Sequence, residues 1–193
     1  MKDNSILIVV SGPSGVGKDT VVKEMMKINS NFYLSVSATT RKPRKNEIDG
    51  VNYYFFDKNK FDSLVLQNKF LEYNSYCDNS YGTLRSEITN NISLNKDIIL
   101  IIEVNGGLEL RDKCQKELGL KCVLIYILPP SLSVLEHRLK DRSSETKKEI
   151  RKRLSVVKKE IMKGLDYDYF VVNDNYFNCA IKILDIINKI KTE

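Results

Sequence analysis

Short unbroken apolar runs alternate along this chain with longer stretches in which apolar positions recur every three or four residues. Ile6 to Val10 and Cys122 to Leu128 hold no charged residue, and Asp97 to Glu103 is an unbroken apolar run between its two terminal acids, the pattern of parallel strands covered on both faces. Tyr169 to Val172 reads as a last, shorter strand. Between these runs the period changes. Ile150, Leu154, Val157 and Ile161 lie four, three and four apart, and Ala180, Ile183, Leu184 and Ile187 form a similar stripe near the C-terminus, as amphipathic helices require. Further helices are expected over Val21 to Ile28, over about 106–117, and from a Ser131 cap through Lys140, with another from about Thr146. Strands alternating with helices predict an α/β sandwich around a parallel sheet, with ligands at the carboxyl edge of its strands.

The stretch from about 35 to 95 interrupts this alternation. It is rich in Tyr and in turn residues: an Asp49-Gly50 turn leads into an apolar strand, Tyr53 to Phe56. A short helix follows over Lys58 to Asn68. A strand from Phe70 to Cys77 then returns through Asp78-Asn79-Ser80 to Tyr81-Gly82-Thr83, and Leu84 to Leu94 reads as helix. The segment has the character of an insertion into the parallel-sheet core. Within it, Arg41 and Arg44 flank Pro43. They form either a solvated basic loop or a rigid pair of guanidiniums suited to bidentate hydrogen bonds with a phosphate group.

The first strand runs into Gly12-Pro13-Ser14-Gly15-Val16-Gly17-Lys18-Asp19-Thr20. Glycines spaced in this way let backbone N–H groups converge at a helix N-terminus, whose dipole favours negative charge, and Lys18 adds a mobile cation. Strand before and helix after are the context expected of a phosphate-binding loop. The usual hydroxyl after the lysine is replaced by Asp19. That carboxylate either complements the helix dipole or serves as a ligand to Mg2+, directly or through water, with Thr20 supplying a hydroxyl one position later.

Composition narrows the remaining possibilities. The 193 residues, 42% hydrophobic and 29% charged, suffice for one well-packed domain. Nothing in the sequence is long and apolar enough to cross a bilayer and the first residues lack a signal-peptide pattern, so a cytoplasmic protein without membrane association is expected. Cys77, Cys114, Cys122 and Cys179 have no C-x-x-C spacing and His137 is the only histidine, which argues against zinc and against a disulfide framework. The net charge of +6 suits polyanionic ligands. Without aromatics interleaved among the basic residues, small phosphorylated molecules are expected rather than nucleic acid.

Several of these segments together resemble the guanylate kinase family, in the same order and with similar spacing: Ser11 to Lys18, Ser37 to Arg44, Asp49-Gly50 before Tyr53, Glu72 to Thr83, Leu128 to Ser131, and Val172-Asn173-Asp174. The likeness spans nearly the whole chain. It implies a P-loop three-layer sandwich, an inserted mixed α+β lobe for the nucleoside monophosphate and a helical lid. These would divide one domain of residues 1–193 into a core (about 1–34, 96–130 and 164–193), a GMP-binding lobe (about 35–95) and the lid (about 131–163). It also implies transfer of the ATP γ-phosphoryl group to GMP, and to dGMP, with Mg2+ accompanying ATP. By matching position, residues 12 to 20 and Asn173 would bind ATP, with Asn173 near adenine. Arg41, Arg44, Tyr53 and Tyr81 would hold the GMP phosphate, and Ser37, Glu72 and Thr83 would read guanine, with Gly82 and Glu103 beside them. Arg138, Arg142 and Arg153 match the lid arginines, which with Lys18 and Arg41 would neutralise charge on the moving phosphoryl group after lid closure.

One carboxylate can accept from guanine N1–H and N2–H together, a donor pair that adenine lacks, which gives Glu72 a chemical reason to be where it is. The alternative for Glu72 is a solvent-facing strand position. The chain also departs from the family where an acid-Ile-Asp sequence precedes a Gln-Gly step. Here Ile101-Ile102-Glu103-Val104-Asn105-Gly106 removes one carboxylate and lengthens another, and Asp19 could restore the lost charge at the metal. Two further readings stand beside the kinase: a related nucleoside monophosphate kinase with a shifted acceptor, and a guanylate-kinase-like module that binds an acidic partner without turnover. Oligomeric state is open.

Overall fold

The computed structural model describes residues 5–76, 78–140, 157 and 159–192. Five parallel strands form the main sheet: β1 (Ile6–Ser11), β2 (Phe32–Leu34), β7 (Asp97–Ile101), β8 (Lys121–Leu128) and β9 (Tyr169–Val172), in the order β2-β7-β1-β8-β9. All six residues of β1 are buried. Their alternation decides which layer each side chain joins, because successive residues of a strand point to opposite faces. Ile6, Ile8 and Val10 pack with Val21, Val22 and Met25 of helix α1 (Lys18–Ile28) and with Ile183 and Ile187 of the C-terminal helix α6 (Tyr176–Thr192). Leu7 and Val9 face the other way, among Leu100, Leu124, and Val104 and Leu110 of helix α4 (Val104–Lys113). Each buried aliphatic contributes about 1.5–3 kcal/mol, so a continuous apolar run is what a strand sandwiched between two helical layers needs.

A buried ion pair ties the far edge of this core. Asp97, at the start of β7, accepts from Lys191 Nζ at 2.8 and 2.6 Å and from the Ile6 backbone N–H at 3.2 Å. It thereby fastens β7, β1 and α6 to one another.

The second sheet has four strands in the order β4-β3-β6-β5: β3 (Ala38–Thr39), β4 (Tyr54–Phe55), β5 (Phe70–Tyr76) and β6 (Asn79–Leu84). Strands β5 and β6 form a tight hairpin in which Tyr76 pairs with Asn79. Asp78 there takes a φ of 64°, a conformation Asp tolerates better than most residues. Helix α2 (Lys58–Leu66) is capped by Asp57, which accepts from the Lys60 N–H, and it covers the sheet by stacking Phe61 on Phe70 at 4.5 Å. Helix α3 (Arg85–Ile92) returns the chain to β7.

Several elements differ from the sequence expectation. Helix α1 begins at Lys18 rather than Val21, because the glycine loop passes directly into helical turns. Strands β2 and β3, three and two residues long, are too short to announce themselves. Tyr53 precedes β4 instead of opening it. Ile102 and Glu103 leave the strand: Glu103 is the N-cap of α4, which starts at Val104 rather than about 106 and passes into a π-helical turn, Cys114–Leu118. Ser131 does cap helix α5 (Leu132–Lys140), accepting from the Val134 N–H at 3.2 Å. The start of the helix expected from about Thr146, with Ile150, Arg153 and Leu154, lies outside the described residues, as does Arg142. Residues 159–164 are helical, and Val157 is buried against the sheet.

Candidate active site

The chain after β1 moves to one side of the sheet through α1 and β2, while β7 leads across β1 to β8 on the other side. This reversal opens a crevice at the carboxyl end of β1, and the glycine-rich loop fills it. Gly17 holds a φ of 98°, a backbone angle that favours glycine, and a Cβ there would come within 2.7 Å of Asn173 Nδ2 and displace that side chain. Lys18 folds back so that its Nζ donates to the carbonyls of Gly12 (2.7 Å) and Pro13 (3.3 Å). The Val16 N–H donates to the Pro13 carbonyl, closing the loop's turn. Behind the loop, the Ser11 hydroxyl donates to the Ile102 carbonyl at 2.7 Å and accepts from the hydroxyl of buried Tyr167 at 2.7 Å, with the Val104 carbonyl 3.2 Å from the same Tyr167 oxygen. The phosphate loop and the β7–α4 turn are therefore pinned together from beneath.

A cavity of about 220 Å³ extends from Gly12, Gly15, Lys18 and Asp19 across to Ser37, Arg41, Arg44, Tyr53, Glu72, Tyr81 and Gly82 on the second sheet. The arginine segment is built rather than loose. Arg41 pairs with Glu47 at 2.9 Å, donates to the Lys42 carbonyl at 2.8 Å, and sits 5.4 Å from the Tyr53 ring centre. Glu47 also accepts from the Arg44 N–H at 2.7 Å. Partial burial opposes its ionisation, but the hydrogen bonds from Arg41 and from the Arg44 backbone win and hold its carboxyl below the usual range. Tyr53 meets Tyr81 edge-on at 6.1 Å, so two hydroxyl-bearing rings and two guanidiniums share one end of the cavity.

Glu72 is buried, 3% exposed, and the solvent-facing alternative is thereby excluded. Its Oε1 accepts from the Thr83 hydroxyl at 2.7 Å. Burial pushes its carboxyl up to about 7, with smaller upward contributions from the charges of Glu103 and Glu109, against the lowering effect of the Thr83 bond. Two glycines make the space. A Cβ on Gly106 would lie 2.7 Å from Glu72 Oε2, and one on Gly82 would lie 2.9 Å from the Glu72 carbonyl oxygen. Thr83 itself is fully buried behind Glu72 rather than on the cavity wall.

On the side nearer the phosphate loop, Asp19, Ile101 and Glu103 line the cavity. The Glu103 carboxylate is engaged by the start of α4: Oε1 accepts from the Gly106 N–H at 2.7 Å and Oε2 from the Asn105 N–H at 3.0 Å. Thr20 faces elsewhere. With Arg138, Asn173 and Tyr176 it lines a separate cleft on the outer side of the loop. There Asn173 Nδ2 donates to the Val16 carbonyl at 2.7 Å, and Arg138 donates to the carbonyls of Val16 and Asn173, both at 3.2 Å. Asn173 Oδ1 is buried and has no protein partner among the described residues, leaving an acceptor beside the loop.

Sequence reasoning did not single out Asn74, Ile102, Val104, Tyr126 or Glu160, which also line the cavity. Tyr126 belongs to a buried apolar run, and Glu160 to a helix whose other charges read as surface, so neither carried a distinguishing signal.

A parallel sheet with a phosphate loop at its crevice, facing a second sheet that offers paired arginines and a buried carboxylate, defines a P-loop protein built to hold two phosphorylated ligands. The profile of the guanylate kinase family matches residues 4–190. Guanylate kinase of Clostridioides difficile is 44% identical over 97% of this chain and 89% of its own length, and that of Rickettsia felis is 39% identical over 97% and 95%. The crystal structure of guanylate kinase from Anaplasma phagocytophilum superposes with a TM-score of 0.79 at 28% identity, covering 98% of this chain and 87% of that one. The chain belongs to the guanylate kinase family.

Proposed function

We propose that this chain transfers the γ-phosphoryl group of ATP to GMP, and to dGMP, giving ADP and GDP or dGDP. The observation that carries the reading is the buried Glu72 carboxylate, held from behind by Thr83 and sharing one cavity with the phosphate loop. Thr83 spends its only hydroxyl proton on Glu72, so its oxygen is left to accept and the donor to guanine O6 is the Ser37 hydroxyl. Glu72 accepts from N1–H and N2–H. AMP offers this arrangement neither the donor pair nor the acceptor, and its binding leaves buried polar groups unpaired.

The phosphate of GMP is held by Arg41, Arg44, Tyr53 and Tyr81. One of its oxygens attacks Pγ of ATP, the new P–O bond forms as the bond from Pγ to the β-phosphate oxygen breaks, and the electron pair leaves with ADP. Loop residues 12 to 20 hold the ATP phosphates, and Lys18 exchanges its loop carbonyls for phosphate oxygens. Asn173 Oδ1 serves the adenine end. Arg138, with Arg142 and Arg153 from outside the described residues, supplies positive charge to the transferred group in a site that excludes water on closure. Division into a core (about 1–34, 96–130 and 164–193), a GMP lobe (35–95) and a lid (131–163) matches these roles.

Mg2+ binds through one or two carboxylates plus substrate phosphates and waters, and Asp19 and Glu103 provide that donor set on the cavity wall. The cation would lower the charge on the ATP phosphates. Asp19 is the better placed of the two candidate loop ligands, since Thr20 faces the outer cleft. A cytoplasmic location accords with the free nucleotide substrates. Phosphorus NMR of protein with Mg-ATP and GMP tests the reading: paired β-phosphate signals of ADP and GDP must grow together, and ATP consumption yielding inorganic phosphate instead would refute it.

A further inference from the structure

The chain crosses between its two sheets twice, once from β2 to β3 and once through α3 back to β7. A single side chain joins both crossings. Glu87, in the first turn of α3, is 8% exposed. Its Oε2 accepts from the Tyr33 hydroxyl of β2 at 2.8 Å and from the Val36 backbone N–H at 3.0 Å, and its Oε1 accepts from the Tyr54 hydroxyl of β4 at 2.8 Å. One donor thus comes from the core sheet, one from the connection between β2 and β3, and one from the second sheet. Val36 immediately precedes Ser37, and Tyr54 immediately follows Tyr53, so the carboxylate holds the backbone of one and the side chain of the other next to two residues of the acceptor site.

We propose that Glu87 is a positioning residue that sets the acceptor-binding strands at their working distance from the phosphate loop. It touches neither substrate, and the proposal rests on the reading of the site given above. An acidic residue in the first turn of a helix needs only the helix dipole to account for it; three convergent donors from three different elements need more. Burial and then the bond to Glu87 push the Tyr33 hydroxyl up to about 12, and the bond to Glu87 raises Tyr54 as well, so both remain donors through the working range. In-line transfer is sensitive to placement: a misplacement of about 1 Å costs on the order of a hundredfold in rate. Loosening this junction should therefore be felt at the acceptor and not at ATP.

The test compares Glu87→Ala, Glu87→Gln and Tyr54→Phe with wild type in steady-state kinetics and hydrogen–deuterium exchange. Glu87→Ala should raise KM for GMP at least tenfold with KM for ATP within twofold. Exchange should quicken at Val36 and around Tyr54 while β1 stays protected. Glu87→Gln should stay within about threefold of wild type, because the amide oxygen can accept from Val36 and Tyr33 while its NH2 donates to the Tyr54 oxygen. Tyr54→Phe should shift KM for GMP in the same direction by less, and it keeps the test open if Glu87→Ala does not fold. An unchanged KM for GMP, equal rises in both KM values, or acceleration of exchange throughout the sheet would overturn the proposal. Wild-type protein that turns over no GMP would remove the reading of the site, while the exchange pattern would still decide whether Glu87 holds this junction.

Discussion

The Thr83 hydroxyl donates to Glu72 Oε1 at 2.7 Å in a position closed to solvent on every side except the cavity. This contact fixes the direction of the carboxylate and consumes the one proton Thr83 has to give. It also holds a group whose ionised form the site disfavours. In the proposed reading, base recognition and pH dependence are therefore linked through one pair of side chains.

Glu72 titrates at about 7, above its ordinary 4.5. The folded protein binds this proton more tightly than the unfolded chain does. Its contribution to stability is full below the ordinary value and is lost as pH rises through about 7. Glu72→Gln, which keeps the acceptor for Thr83, should match wild type at pH 4.5 and exceed it at pH 8 by up to about 3 kcal/mol, read from urea midpoints. Guanine donors favour the ionised carboxylate, so wild-type affinity for GMP should rise between pH 5.5 and 7.5 with proton release in calorimetry. The GMP phosphate also titrates near about 6. Any pH dependence that survives in Glu72→Gln belongs to the phosphate, and only the difference belongs to Glu72.

Gly106 leaves the room that Glu72 occupies. Gly106→Ala should displace the carboxylate and raise KM for GMP about tenfold or more, with KM for ATP unchanged, since the added methyl meets Glu72 and not the phosphate loop. Equal affinity for GMP in the variant would show that the carboxylate can retreat without loss.

Asp19 stands where most phosphate loops carry a hydroxyl, opposite an Ile101 that brings no charge. Asp19→Ala should weaken Mg2+ binding to the ADP complex several-fold in calorimetry and raise the Mg2+ concentration needed for half-maximal turnover. An unchanged metal requirement would leave Asp19 as a helix-dipole partner only.

The Asp97–Lys191 pair lies at the opposite end of the sheet from the cavity, and its Asp is 3% exposed. Removing one partner strands a buried charge and its hydrogen bonds, so Lys191→Met should cost about 2–4 kcal/mol of stability without changing either KM. Denaturant unfolding and kinetics on the same preparation check both halves.

The sheet core was legible because β1, β7 and β8 each carry an apolar run of four or more residues, and because the phosphate loop needs its glycines in a fixed pattern. The residues proposed for the acceptor come from the resemblance to the guanylate kinase family, position by position; chemistry alone offers the Arg41 and Arg44 pair as a candidate phosphate site and a reason for a carboxylate at Glu72. What escaped notice depends on partners distant in sequence. Strand β3 is two residues long and owes its conformation to β4 and β6 on either side. Glu103 reads as the end of a strand until the N–H groups of Asn105 and Gly106 turn back to it. Tyr167, beneath the phosphate loop, and Glu87, between the sheets, acquire their roles only from folding, because no local pattern distinguishes them from an ordinary surface Tyr or Glu.

The most direct measurement is ADP formation from Mg-ATP with GMP, dGMP, AMP, CMP and UMP, each against a control without acceptor. If guanine is read by buried Glu72, held by Thr83, and by the Ser37 hydroxyl as proposed, GMP should be preferred to AMP by about 10⁴ or more in kcat/KM, with dGMP also used. Comparable turnover of AMP, or ATP consumption that no acceptor accelerates, would contradict the account.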